Sequence, residues 1–272
     1  MDRRRLGGWP SGVPPPIGSE TLPGQPARTP AVRDDMIERT DSDGIVTLRL
    51  AHGKVSAMDL ELCEELRRQL DAARDARALI LTGTGSSFSA GVDLFRLLDG
   101  GTEYIERFWP ALGGVLETLF VFPRPVVAAA NGHAIAGGCL LVAACDYRLM
   151  SSGKIGVPEL LVGVPFPLIA LDILTFAAGR DAQQLAYSGA TLGPEEARAK
   201  GLIDEVADAD RLLARAQEVA ARLAAVPADS FRITKLTLRR RENRDAEALK
   251  VWSRPEIHAH IREYLSRTVG RK

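Results

Sequence analysis

Ala136-Gly137-Gly138-Cys139 stands between two apolar runs, Val126-Val127-Ala128-Ala129-Ala130 and Leu140-Leu141-Val142-Ala143-Ala144, and the chain continues from there to Pro158-Glu159. The first run has the length of a buried strand, and the second reads as a buried helix. A strand therefore passes into a helix through glycines. The first N–H groups of such a helix have no partner within it, and the helix dipole adds partial positive charge there. The junction is suited to an oxygen that is becoming negative. It supplies one half of an oxyanion hole.

The other half lies upstream. Ala78-Leu79-Ile80-Leu81 ends in Thr82-Gly83-Thr84-Gly85, followed by Phe88-Ser89-Ala90-Gly91-Val92-Asp93-Leu94, again a strand, a turn of small residues and a helix. Two such turns can each aim one N–H at a single carbonyl oxygen. Isolated glycine pairs are as easily explained by turn chemistry; it is the recurrence at two strand-to-helix junctions that points to a hole. Downstream, Glu159 follows a proline among Ile155, Val157, Leu160, Leu161 and Val162. A carboxylate in that setting is desolvated, which raises its pKa toward that of a general base. A buried Glu paired with an Arg is the alternative.

Phe88 to Leu94, Asn131 to Cys139, Asp146, Pro158-Glu159 and Glu196-Ala197 through Gly201-Leu202-Ile203-Asp204 together resemble the enoyl-CoA hydratase/isomerase (crotonase) superfamily, over about 230 residues from roughly Ile37 onward. The resemblance implies an α/β fold, a crotonase-like spiral of strand-strand-helix turns with a C-terminal helical region. It divides the chain into a tail (1–35), a spiral core (36–205) and a helical oligomerisation region (206–272) that packs subunits as a homotrimer or hexamer. It implies an acyl-CoA thioester as the small-molecule partner, with coenzyme A as part of the substrate and no permanently bound cofactor. Its two hole donors fall on the N–H groups of Val92 and Gly137, and its catalytic carboxylate on Glu159. Lys54 and Lys235, which could equally be solvated charges, match coenzyme A-contacting lysines. Val55, Ala57, Ala90, Asp93 and Leu94 match residues around the adenine and pantetheine, and Ser56 stands where the family usually has Asn.

Two departures bear on the activity. Hydratases of the family use a second carboxylate in the helix after the glycine turn, where this chain has Leu140. They also continue past the Pro-Glu motif with a glycine-rich stretch, whereas Val164-Pro165-Phe166-Pro167-Leu168 is closer to the apolar, Phe-containing version of the isomerases. The resemblance thus favours a Δ3,Δ2-enoyl-CoA isomerase with a single Glu base. A hydratase of low or differently assisted activity, an acyl-CoA hydrolase or decarboxylase, and a non-catalytic acyl-CoA-binding protein are the alternatives.

Composition narrows the classes further. The 272 residues are 46% hydrophobic with a formal net charge of zero, enough for one sizeable core and without the basic footprint of a nucleic-acid binder. Cys63, Cys139 and Cys145 read as small buried hydrophobes in a reducing compartment, and cytoplasmic localisation is expected. No Cys/His spacing suggests a metal site, and no apolar run reaches the ~18 residues of a membrane-spanning helix. Gly83-Thr84-Gly85 fails as a dinucleotide fingerprint because Phe88 occupies the third glycine position.

Residues 1–35 hold seven of the sixteen prolines and show no strand or helix period, which predicts a flexible tail. From Gly44 the chain alternates. Val46, Leu48 and Leu50 are expected to face the core, with Ile45, Thr47 and Arg49 on a more polar face. Leu62, Cys63, Leu66, Leu70 and Ala73 repeat at helical spacing, and Phe108, Leu112, Leu116 and Leu119 form a stripe on a helix expected from about Thr102 to Leu119. Asp146 to Met150 reads as a strand and Ile155 to Glu159 as extended. Helices are expected over 168–178, 181–187, 194–200, 209–225, 230–241, 245–251 and 255–267.

Overall fold

The computed structural model describes residues 36–240, 245–252, 254–259 and 261. The expected tail, residues 1–35, lies outside them, as does the helix expected over 255–267 beyond residue 259, residue 261 excepted. The described chain opens as a hairpin in which β1 (Ile37–Ser42) and β2 (Ile45–Leu50) pair antiparallel with Ser42 opposite Ile45. Asp43 and Gly44 between them take φ of 53° and 73°. A two-residue hairpin turn requires such values, and an Asp-Gly pair favours them.

Helix α1 (Leu60–Ala72) is capped by Asp59, whose carboxylate accepts the Leu62 N–H at 2.8 Å. Three turns of strand, strand and helix follow. The first is β3 (Ala78–Thr82), β4 (Ser87–Ser89) and α2 (Leu94–Phe120); the second is β5 (Val126–Ala130), β6 (His133–Ile135) and α3 (Gly137–Ala143); the third is β7 (Tyr147–Met150), β8 (Ile155–Gly156) and α4 (Glu159–Val162). Beyond them lie α5 (Leu168–Ala178), α6 (Ala182–Ser188), β9 (Thr191–Leu192), α7 (Pro194–Ala199), β10 (Glu205–Val206), α8 (Leu212–Ala224), α9 (Ala228–Arg240) and α10 (Asp245–Trp252). The first strand of each turn joins a six-stranded sheet, β1-β2-β3-β5-β7-β10, and the second strand joins a four-stranded sheet, β4-β6-β8-β9. Within each sheet the successive turns pair in parallel, so the chain winds as a spiral and every strand-to-helix junction comes to the same side.

Two expectations are corrected. β2 is buried on both faces. Val46, Leu48 and Leu50 enter the main core, while Ile45 joins Ile80, Val127 and Ala129 under Leu212, Ala216 and Val219 of α8, which covers the face expected to be polar. The helix expected from about Thr102 to Leu119 is present as the second part of α2, and a shorter helical part from Leu94 precedes it, its start capped by the Asp93 carboxylate, which accepts the Arg96 N–H at 3.1 Å. Gly101, at φ 57° and ψ −153°, is not helical and separates the two parts. Glu159 begins a short helix rather than ending an extended piece. The stripe of Phe108, Leu112, Leu116 and Leu119 is buried as expected, and so are all three cysteines, whose thiols burial pushes up. No described helix is long and apolar enough to cross a membrane.

Candidate active site

The two glycine-rich turns lie against each other. The Asn131 side chain accepts the Gly83 N–H at 2.9 Å and donates to the Gly85 carbonyl at 2.9 Å, tying the end of β5 to the turn after β3. A Cβ on Gly132 would fall 2.0 Å from the Ser86 carbonyl oxygen, so glycine there is required by close approach. Nearer the helices, the Cβ position of Gly91 is 2.5 Å from the Ile135 carbonyl oxygen and 3.2 Å from the Gly137 nitrogen. Gly91, at φ 81°, is restricted on both counts.

This packing places Val92 beside Gly137. The Val92 Cγ2 lies 3.8 Å from where a Gly137 Cβ would be. Val92 forms an isolated parallel bridge with Met58, in which the Met58 N–H donates to the Gly91 carbonyl at 2.7 Å and the Met58 carbonyl accepts the Asp93 N–H at 3.0 Å. The N–H of the intervening Val92 therefore points away from Met58 and has no hydrogen-bond partner among the described residues. Gly137 is the first residue of α3, so its N–H has no acceptor within the helix. Ala136 before it holds φ 50° and ψ −121°, a strained conformation for a residue with a Cβ. It is fixed by its own N–H, which donates to the Gly156 carbonyl at 2.8 Å.

That last bond also brings in the carboxylate, because Gly156 lies three residues before Glu159. Glu159 stands close enough to Cys139 of α3 to raise the thiol's pKa further. Its Oε2 is buried without a hydrogen-bond partner, and burial pushes its carboxyl up to about 7, opposed by its own backbone N–H. The Arg-paired alternative is absent among the described ion pairs. Leu140, at the position of the family's other carboxylate, is 2% exposed within the core.

Of the other residues singled out from the sequence, Lys54, Val55, Ala57, Ala90, Asp93 and Leu94 lie on two adjoining segments, joined where the Ala90 N–H donates to the Val55 carbonyl at 2.9 Å. Lys54 is exposed, and Leu94 is 41% exposed at the start of α2. Lys235 does not join them. It is 5% exposed and bonds Asp146 at 2.7 Å beyond the C-terminal end of α3, roughly 10 Å of helix away from Gly137. Arg239 pairs with the other Asp146 oxygen at 2.9 Å and donates to the Ala144 and Cys145 carbonyls, and Asp146 itself accepts the Val126 N–H at 2.8 Å. Burial pulls the Lys235 ammonium down to about 8, against the attraction of Asp146. Lys235 is thus a structural clasp, its ammonium taken up by Asp146 and the Arg124 carbonyl.

Two residues that sequence reasoning left without a role are visible here. The Ser89 hydroxyl, fully buried, donates to the Ser56 carbonyl at 2.7 Å and accepts the Gly91 N–H at 3.2 Å, bracing the loop that carries Val92. Ser56 has φ 46°, a conformation that Asn tolerates better than Ser. Met58 carries no motif at all, yet it meets both turns.

This spiral, with N–H groups at Val92 and Gly137 unpartnered among the described residues and an unpaired buried carboxylate at Glu159, is the crotonase fold. The chain belongs to the enoyl-CoA hydratase/isomerase family, whose model matches residues 40–268. It is similar to the mitochondrial enoyl-CoA delta isomerase 1 of Rattus norvegicus, with 29% identity over 213 residues, 75% of this chain and 74% of the relative. It is also similar to a putative enoyl-CoA hydratase of Thermus thermophilus, with 33% identity over 182 residues, 65% of this chain and 72% of the relative. Among solved structures, human mitochondrial delta3-delta2-enoyl-CoA isomerase superposes with a TM-score of 0.73 at 25% identity, covering 85% of this chain and 97% of that one.

Proposed function

We propose that this protein is an acyl-CoA enzyme that stabilises a thioester enolate and acts as a Δ3,Δ2-enoyl-CoA isomerase with Glu159 as its single base. The observation that carries the reading is the state of Glu159. Among the described residues its Oε2 is the one carboxylate oxygen buried without a partner, and its pKa of about 7 leaves it ready both to take and to return a proton at neutral pH. In a 3-enoyl thioester, Glu159 removes a proton from C2. The electron pair moves into the carbonyl, and the resulting oxyanion is held by the N–H groups of Val92 and Gly137, each such donor being worth about 3 to 4 kcal/mol to the transition state. The dienolate then takes a proton at C4 from the Glu159 carboxyl, which exchanges with solvent in the meantime; this leaves the double bond between C2 and C3 and regenerates the carboxylate.

Leu140 supports this choice over hydration, because a water attacking C3 would lack the second group that positions it and handles its proton. The exposed apolar side chains that follow the two functional centres in the chain, Phe95 and Leu98 after Val92 and Leu161 and Leu168 after Glu159, favour an apolar acyl chain. On this reading Lys54 faces the nucleotide phosphates, while the backbone around Val55, Ala57, Ala90, Asp93 and Leu94 contacts adenine and pantetheine. Assembly as a homotrimer or hexamer and a cytoplasmic site of action belong to the same reading.

The test is to incubate the protein with 3-enoyl-CoA and with 2-enoyl-CoA in deuterated water and follow each by mass. Interconversion of the two with deuterium entering at C2 and C4, and no gain of water, is the expected result. Rapid formation of 3-hydroxyacyl-CoA without isomerisation would replace the reading with a hydratase, release of free coenzyme A or carbon dioxide with a hydrolase or decarboxylase, and binding without exchange with a carrier.

A further inference from the structure

The two donors belong to different turns of the spiral, and a hole works only if their separation and direction are held. We infer that Met58 sets that geometry and is the positioning residue of the site; the inference rests on the oxyanion-hole reading above. Through its backbone, Met58 grips both sides of Val92, giving its N–H to the Gly91 carbonyl at 2.7 Å and receiving the Asp93 N–H at 3.0 Å. Those two bonds turn the Val92 N–H to the far side, where the thioester oxygen is to sit.

Through its side chain, Met58 touches the other donor. It is fully buried, and its Sδ lies 2.8 Å from the Cβ position of Gly137, with Cε 3.8 Å from the same point. The thioether therefore occupies the space over Gly137 that a side chain would otherwise take. An unbranched, polarisable side chain is suited to filling a gap of this shape between two backbone segments.

Met58 is itself well anchored. The next residue, Asp59, caps α1 and bonds the His52 ring at 2.7 Å, and the one after, Leu60, gives its N–H to the Tyr104 hydroxyl of α2 at 2.9 Å. One residue is thus bonded to the segment of the first donor, packed on the second, and held by two helices. Supporting contacts of this kind keep a catalytic geometry from loosening.

The experiment compares the wild-type protein with Met58→Ala and Met58→Leu, using a 2,4-dienoyl-CoA whose conjugated thioester absorbs at longer wavelength when its carbonyl is polarised. Met58→Ala is expected to bind it with a Kd within about threefold of wild type, lose half or more of the red shift, and lower kcat for isomerisation by ~10- to 100-fold, the scale of a weakened donor. Met58→Leu, which refills the space, is expected to restore most of both. Full red shift and wild-type kcat in folded Met58→Ala overturn the inference. So does a loss shared equally by Met58→Leu with Kd weakened in proportion, because that pattern is general loosening. If Met58→Ala does not fold, Met58→Val removes the sulfur and the methyl beyond it while branching at Cβ, and an unchanged shift and kcat in that variant overturn it. A wild-type protein that produces no red shift overturns the hole itself, and this inference with it.

Discussion

Replacing Glu159 by Gln keeps the shape of the side chain and removes its charge, and the burial of Glu159 makes the variant informative in two independent ways. Burial lifts the carboxyl from 4.5 to about 7. At 1.36 kcal/mol per pH unit that gap corresponds to about 3 kcal/mol, and roughly 2 kcal/mol after allowing for the part of the group that solvent reaches. The folded value lies above the unfolded one, so the contribution of Glu159 to stability is complete below pH 4.5 and is lost as pH rises through about 7. Glu159→Gln carries no such loss. It should match wild type near pH 4 and exceed it by ~2 kcal/mol at pH 8, read as a higher urea midpoint at unchanged m. Catalysis runs the other way. Wild-type kcat/KM should rise through pH about 7 to a plateau as the base ionises, and the variant should lose at least ~100-fold, together with C2 proton exchange. A stability difference that does not change with pH would mean that Glu159 has a charged partner, and an activity profile without an inflection near 7 would remove it as the base.

Gly137→Val would drive its new side chain into the Met58 sulfur, which sits 2.8 Å from the Cβ position; turnover is expected to fall at least ~100-fold while circular dichroism shows the protein still folded. Asp146→Ala would leave Lys235 and Arg239 buried without their shared carboxylate. Denaturant unfolding should show a loss of about 3 to 5 kcal/mol, and a neutral result would refute the clasp. The hydrogen bond to Asp59 raises the pKa of His52 above 6.5, so this pair's support is full below that value and fades as pH rises through the higher folded one. His52→Ala should therefore cost at most ~1 kcal/mol near pH 5.5 and progressively less above pH 7, as followed by thermal unfolding across pH. Leu140→Glu introduces the second carboxylate. It is expected to add hydration of a 2-enoyl-CoA, detected as a mass gain of one water, unless the new group stays protonated among its apolar neighbours, which a titration of that gain against pH reveals.

Much of this protein is determined locally, and that part is legible in its residues. The apolar run 126–130, the glycines after it, the stripe on α2 and the helix over 168–178 follow from periodicity and turn chemistry, because each depends on neighbours within a few positions. The desolvation of Glu159 is legible for the same reason, since a proline and a run of apolar residues stand beside it. Tertiary structure decides what has no local signature. β4, β6 and β9 are two or three residues long, too short for a pattern, and exist only because the spiral lays them side by side. The outer face of β2 looks half polar until α8, far along the chain, covers Ile45. Lys235 reads as a surface cation, yet Asp146 and the C-terminal end of α3 hold it in the core. Met58, from a third segment, bonds Gly91 and Asp93 on either side of Val92 and packs on Gly137, and no pattern in the sequence records those contacts, because packing between distant segments selects volume and shape rather than spacing.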